Sequence, residues 1–143
     1  MREYNERFIH HHQIARALGV SGPTEDALLI PAFHGVMRLI AARFVVNDEA
    51  TNNGPKDARI HFAVEGTDHH GWTIERGESW VLHNGKLDAV TTTMLIAHDM
   101  ASRFITKALT SNEITQSLTV SGNKDLGALT TDFLASFFAR STP

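Results

Sequence analysis

The spacing of apolar residues changes after residue 57, from helical to alternating, and that change limits the folds open to this chain. Before a polar stretch at 47–57, Tyr4, Phe8, Ala15 and Leu18 recur near helical spacing and Gly19 follows as a stop. This predicts a helix over 3–18. Ser21-Gly22-Pro23-Thr24 reads as a turn, with Thr24 as N-cap of a second helix that opens on Glu25 and Asp26. That helix runs to about Val46 and carries Leu28, Leu29, Met37, Leu39, Ile40 and Phe44. Pro31 lies inside it, which predicts a kink or a restart. Residues 47–57 are rich in Asn, Asp, Gly and Pro and form the one linker the sequence offers.

Beyond the linker the period falls to two. Ile60, Phe62 and Val64 alternate with Arg59, His61 and Ala63, as in a strand with one buried face. Thr67 to Gly71 reads as a hairpin turn, Trp72 and Ile74 as a second strand, and Trp80 to Leu82 as a third after a turn at Gly77. Asn84-Gly85 is a strong turn signal, and Leu87 to Thr93 reads as a fourth strand. Residues 95–108 return to helix, Thr110 to Glu113 begin another helical turn, Ser117 to Ser121 form a last strand, and Asp125 to Ala139 a closing helix. Consecutive hairpins predict an α+β fold: an antiparallel sheet of about five strands with helices on one face. Two N-terminal helices over 1–46 precede a domain at 58–143.

Composition narrows the function classes. A net charge of −3 gives no electrostatic case for nucleic acid or an anionic membrane. There is no cysteine, hence no disulfide and no thiolate, which suits a cytoplasmic protein. No apolar run approaches the roughly 18 residues of a membrane span. A signal peptide is not expected either, because Glu3, Glu6 and three histidines interrupt the N-terminus.

Nine histidines are the unusual feature. On a helix Glu6 and His10 share a face, with Gln13 one turn on. A carboxylate and an imidazole so spaced can fill two positions around a zinc-like divalent ion, though a site needs at least one more ligand. The same pair also occurs on solvated helix faces as a weak charge pair. His69-His70 fall at the expected hairpin tip, where exposure is the norm, and His34 and His98 fall within expected helices. His34 is the reserve ligand if the two N-terminal helices pair closely.

The string Glu6-x-x-x-His10-x-x-Gln13-Ile14-x-Arg16-Ala17-Leu18-Gly19 resembles a segment of the mycothiol-dependent maleylpyruvate isomerase family. That family joins a four-helix metal domain of the DinB type to a C-terminal domain of the sterol carrier protein type. Gly71-Trp72-Thr73-Ile74, Ser102-Arg103-Phe104-Ile105-Thr106 and Val120-Ser121-Gly122-Asn123-x-Asp125-Leu126 resemble its downstream motifs, in order. The resemblance implies a sterol-carrier-like domain, metal ligation by Glu6 and His10, mycothiol as thiol cofactor, and a substrate carboxylate held by Arg103. The bland reading of Arg103 is a solvated arginine lying over Met100 and Phe104. Departures limit what carries over. The family's earlier helices and third ligand have no counterpart, and Gln13, Lys107-Ala108 and Gly122-Asn123 replace its Asp, Gly-Arg and Gly-Asp. Isomerase activity is therefore not expected of this chain alone.

Two other functions fit the same residues. One is a non-catalytic domain that binds a small hydrophobic ligand between the sheet and the closing helix, whose stripe is Leu126, Leu129, Phe133, Leu134, Phe137 and Phe138. That stripe is first of all plain core. The other is a pairing module, in which Tyr4, Phe8 and Leu18 on the first helix meet a second copy as a homodimer.

Overall fold

A computed structural model describes residues 2–20, 26–46, 56–67 and 71–141. Helix α1 spans Arg2–Ala17 and α2 spans Asp26–Val46. Strands β1 (Arg59–Val64), β2 (Trp72–Arg76), β3 (Trp80–Asn84) and β4 (Thr92–Ile96) follow. Then come α3 (His98–Ile105), α4 (Ser111–Ser117), β5 (Leu118–Gly122) and α5 (Lys124–Phe138). The class is α+β, with the helices on one face of a five-stranded sheet. The expected linker, the Thr24 cap and His69-His70 lie largely outside the described residues.

The sheet order is β3-β2-β1-β4-β5. β1, β2 and β3 form the expected antiparallel hairpins, with Phe62 opposite Trp72 and Ile74 opposite Leu82. The fourth strand departs from expectation. It pairs parallel to β1, Phe62 beside Met94, and the sheet is mixed rather than a simple meander. Residues 85–91, expected to be strand in part, are instead the crossing that brings the chain from one edge of the hairpin sheet to the other. Ala89 there has φ of 52°, a left-handed conformation that interrupts a strand. Thr91 Oγ1 and the Arg59 backbone exchange hydrogen bonds at 3.0 Å, which fixes where β4 starts. Gly122 ends β5 at φ +91°, and a Cβ there would lie 2.3 Å from the Thr91 carbonyl oxygen.

Pro31 does not break α2, which runs unbroken to Val46. As the sixth residue of the helix, it lacks the amide hydrogen that would bond to the Ala27 carbonyl. Ala27–Val46 is also long and apolar enough to cross a membrane by length and composition, with a mean hydropathy of 1.5. In the sequence this stretch does not stand out as an apolar run, because His34, Gly35, Arg38 and Arg43 punctuate it. Much of that apolarity faces the sheet: Leu29, Phe33, Met37, Ile40 and Phe44 are buried. Phe33 stacks on Trp72 at 5.5 Å and Phe44 meets Trp80 edge-on at 5.1 Å. From the C-terminal half, Phe104 of α3 stacks between Phe33 at 6.0 Å and Phe138 at 4.8 Å. One core therefore joins α2 to the sheet and the later helices.

Local signals place the later helices. Thr110 and Glu113 form a reciprocal capping box at the start of α4, and Asn123 Oδ1 accepts from the Leu126 amide to start α5. Helix α1 rests on α2 through its first half. Tyr4 Oη donates to the Leu28 carbonyl at 2.8 Å, Asn5 Nδ2 to that of Ala32 at 3.2 Å, and Phe8 is buried. Its other end does not share this cover. Ile14, Leu18 and Val20 are 57%, 71% and 58% exposed.

Candidate ligand sites on the helical face

Two features of the helical face bear on small-molecule binding, one closed and one open. The first lies inside. Phe33 and Ile40 of α2, Phe62 and Ala63 of β1, and Met94 and Ile96 of β4 close around an apolar void of about 10 Å³ with Phe104, Leu118 and Leu134. That is room for about one water, and no polar side chain lines it to hold one. The expected cavity against the closing helix thus exists only in miniature. α5 contributes Leu134, while Leu126 and Phe138 are spent on the core.

The second is an open shelf of about 350 Å³ between α2 and the β3 edge, lined by His34, Arg38, Ala41, Leu82 and Asn84. Alternation along β3 turns Leu82 and Asn84 to the same side, and one helical turn separates His34 from Arg38. The buried Trp72 indole donates from Nε1 to His34 Nδ1 at 2.7 Å. A neutral imidazole that accepts at Nδ1 carries its proton on Nε2, so this bond selects the tautomer. The Arg38 side chain is exposed and has no ion pair or hydrogen bond among the described residues. In the sequence His34 reads only as a reserve ligand, and neither Arg38 nor Asn84 reads as part of a site. Arg38, a cation midway along a mostly apolar helix, was the available signal.

The expected metal pair sits elsewhere. Glu6 and His10 are exposed on α1, and His10 Nδ1 lies 3.2 Å from Gln13 Oε1. Among the described residues no group of three or more His, Asp or Glu side chains converges as a metal would require. His34 is engaged with Trp72, and His98 is an exposed residue at the start of α3. Arg103 is exposed on α3, near Met100 Sδ at 3.7 Å and paired with Glu113 Oε1 at 3.5 Å. The Thr110 backbone hydrogen bond holds the Glu113 carboxyl below its ordinary value, helped by the Thr110 hydroxyl, Arg103 and Arg140 and opposed by some desolvation. Arg103 thus supports a helix cap, and it lines neither the void nor the shelf.

No family model matches the chain, whether of the maleylpyruvate isomerase family or any other, and no curated protein matches it. In structure it is similar to sterol carrier protein 2 domains. Palmitated SCP2L2 from Aedes aegypti aligns over 72% of this chain and 96% of its own, at 15% identity and a TM-score of 0.49. Sterol carrier protein domain 2 of Helicoverpa armigera aligns over 76% and 91%, at 16% identity and a TM-score of 0.49. A ubiquinone synthesis protein, UbiJ-SCP2, aligns over 79% and 97%, at 12% identity and a TM-score of 0.49.

Proposed function

We propose that this chain is a binding domain for a small apolar molecule, seated between the sheet and helices α2, α3 and α5. The observation that carries the reading is the wholly apolar void at the meeting point of those elements. Its present volume holds no ligand, so binding requires its lining to part. Met94 supplies the means, since an unbranched thioether repacks at little cost. The aromatic rings of Phe33 and Phe104 then provide flat apolar surface to the guest. Titration with a fluorescent long-chain fatty acid tests this. Saturable binding that Met94→Phe weakens supports the reading; a signal that never saturates, or that ignores Met94→Phe, removes it.

A second reading has its own observation. Ile14 on α1, with Leu18 and Val20 just after it, leaves an apolar patch that no described residue covers. A second copy packing there would make the chain a homodimer through its N-terminal helix. Sedimentation at micromolar concentration decides it: a monomer throughout, or a dimer that Leu18→Glu leaves intact, rejects that surface.

A further inference from the structure

We infer that the shelf between α2 and β3 is a binding site for a small free monocarboxylic acid. It goes beyond the interior reading and does not depend on it. Three groups on the shelf donate hydrogen bonds and none of the lining side chains is acidic. His34 offers Nε2–H because its Nδ1 is occupied by the Trp72 indole. Arg38, one helical turn on, offers a guanidinium fork that no carboxylate of the described residues has claimed. Asn84 contributes its amide from the end of β3.

The charge balance sets the ligand class. One permanent cation among neutral donors matches a single negative charge, and the planar fork of an arginine matches the two oxygens of a carboxylate. The remaining lining, Leu82 and Ala41, is apolar and can receive a short hydrocarbon body beside the acid group. Trp72 acts as a positioning residue. It is buried against Phe33, and its indole N–H fixes both the orientation of the imidazole and the nitrogen that carries the proton.

Benzoate is the test ligand and benzyl alcohol its uncharged counterpart, with binding followed by calorimetry and by shifts of the Asn84 side-chain amide. Benzoate binds the wild type, benzyl alcohol binds at least about tenfold more weakly, and Arg38→Gln lowers benzoate affinity by about tenfold or more. Arg38 is exposed, so Arg38→Gln folds, and an unchanged thermal midpoint verifies that. Asn84→Ala gives a second, smaller loss from the other side of the shelf. Met94→Phe, which fills the interior void, leaves benzoate binding unchanged. The inference is overturned if benzoate fails to bind, if the alcohol binds as well as the acid, or if Arg38→Gln has no effect. It is overturned equally if Met94→Phe abolishes benzoate binding, which assigns the acid to the interior, or if only long-chain acids bind.

Discussion

Two glycine-to-alanine substitutions separate rigid from yielding contacts in this fold. At Gly71 an added Cβ would lie 2.3 Å from His61 Cε1, 2.6 Å from its Nε2 and 2.7 Å from the Phe62 carbonyl oxygen. Ordinary carbon contacts need about 3.5–4.0 Å, so something must move by about 1 Å or more. Neither neighbour moves freely. His61 is 1% exposed with Nδ1 placed 3.3 Å from Thr73 Oγ1, and the Phe62 carbonyl belongs to the backbone of a central strand. Overpacking of this kind costs about 1–3 kcal/mol, against about 0.4–1 kcal/mol gained by restricting the unfolded chain. Gly71→Ala therefore destabilises by roughly 1–2 kcal/mol, which lowers the thermal midpoint by about 3–7 °C for a domain of this size. At Gly35 the apparent clash is closer, 2.1 Å, but the atom is the Asn5 amide nitrogen at the end of an adjustable side chain. Gly35→Ala forfeits the Asn5–Ala32 hydrogen bond, about 1 kcal/mol, and recovers about 0.8–1 kcal/mol of helix propensity. The two nearly cancel. Unfolding followed by fluorescence of the buried Trp72 and Trp80 measures both, and removing the ring in the double variant His61→Ala/Gly71→Ala should give a coupling of about 1 kcal/mol. A Gly71→Ala protein as stable as wild type, or a Gly35→Ala protein that loses more, refutes the assignment of rigidity.

Four further outcomes follow from the same geometry. Trp72→Phe keeps a ring on Phe33 but strips His34 of its donor, costing about 0.5–1.5 kcal/mol; nitrogen NMR should show the His34 proton redistributed between Nδ1 and Nε2, and an unchanged tautomer counts against the bond. Phe104→Ala costs about 3–5 kcal/mol in denaturant unfolding and enlarges the interior void; if the fluorescent fatty acid then binds no better, the void is not where it sits. Thr110→Ala costs about 1 kcal/mol by opening the α4 cap. The Glu113 half of that cap has a lowered folded pKa, so its stabilisation is present above its ordinary value of 4.5 and is lost only as pH falls through the lower folded value. The thermal-midpoint difference between wild type and Glu113→Gln should accordingly hold down to that ordinary value, and a difference that vanishes above it contradicts the sign.

Helices and hairpins were legible in the sequence because they depend on neighbours. The 3.6-residue pattern marked α1 and α2, Thr110 and Glu113 announced the α4 start, and Asn84-Gly85 marked the end of β3. The parallel pairing of β1 with β4 was not legible, since alternation reports which face a residue takes and not which strand lies beside it. The left-handed Ala89 that interrupts the expected fourth strand has no composition signal, because alanine gives no hint of positive φ. The shelf stayed hidden for a related reason. His34, Arg38 and Asn84 belong to α2 and β3, which only the folded sheet brings together, and the His34 tautomer depends on Trp72 from a third element. Glu6 and His10 were visible because local spacing suffices to see them, and local spacing could supply no third ligand.

The mixed sheet also sets an order of risk during synthesis. β1 sits at the centre of the finished sheet, yet its second neighbour, β4, begins at Thr92. While the ribosome is still making the intervening residues, β1, β2 and β3 can pair, leaving one side of β1 with open backbone donors and acceptors. That edge carries Ile60, Phe62, Ala63 and Val64, a strand with few charges to deter a second nascent chain. Products stopped before Thr92 keep the edge permanently and are the species expected to self-associate. The parallel pair that completes the native core is thus also the closure that protects the chain from its own copies.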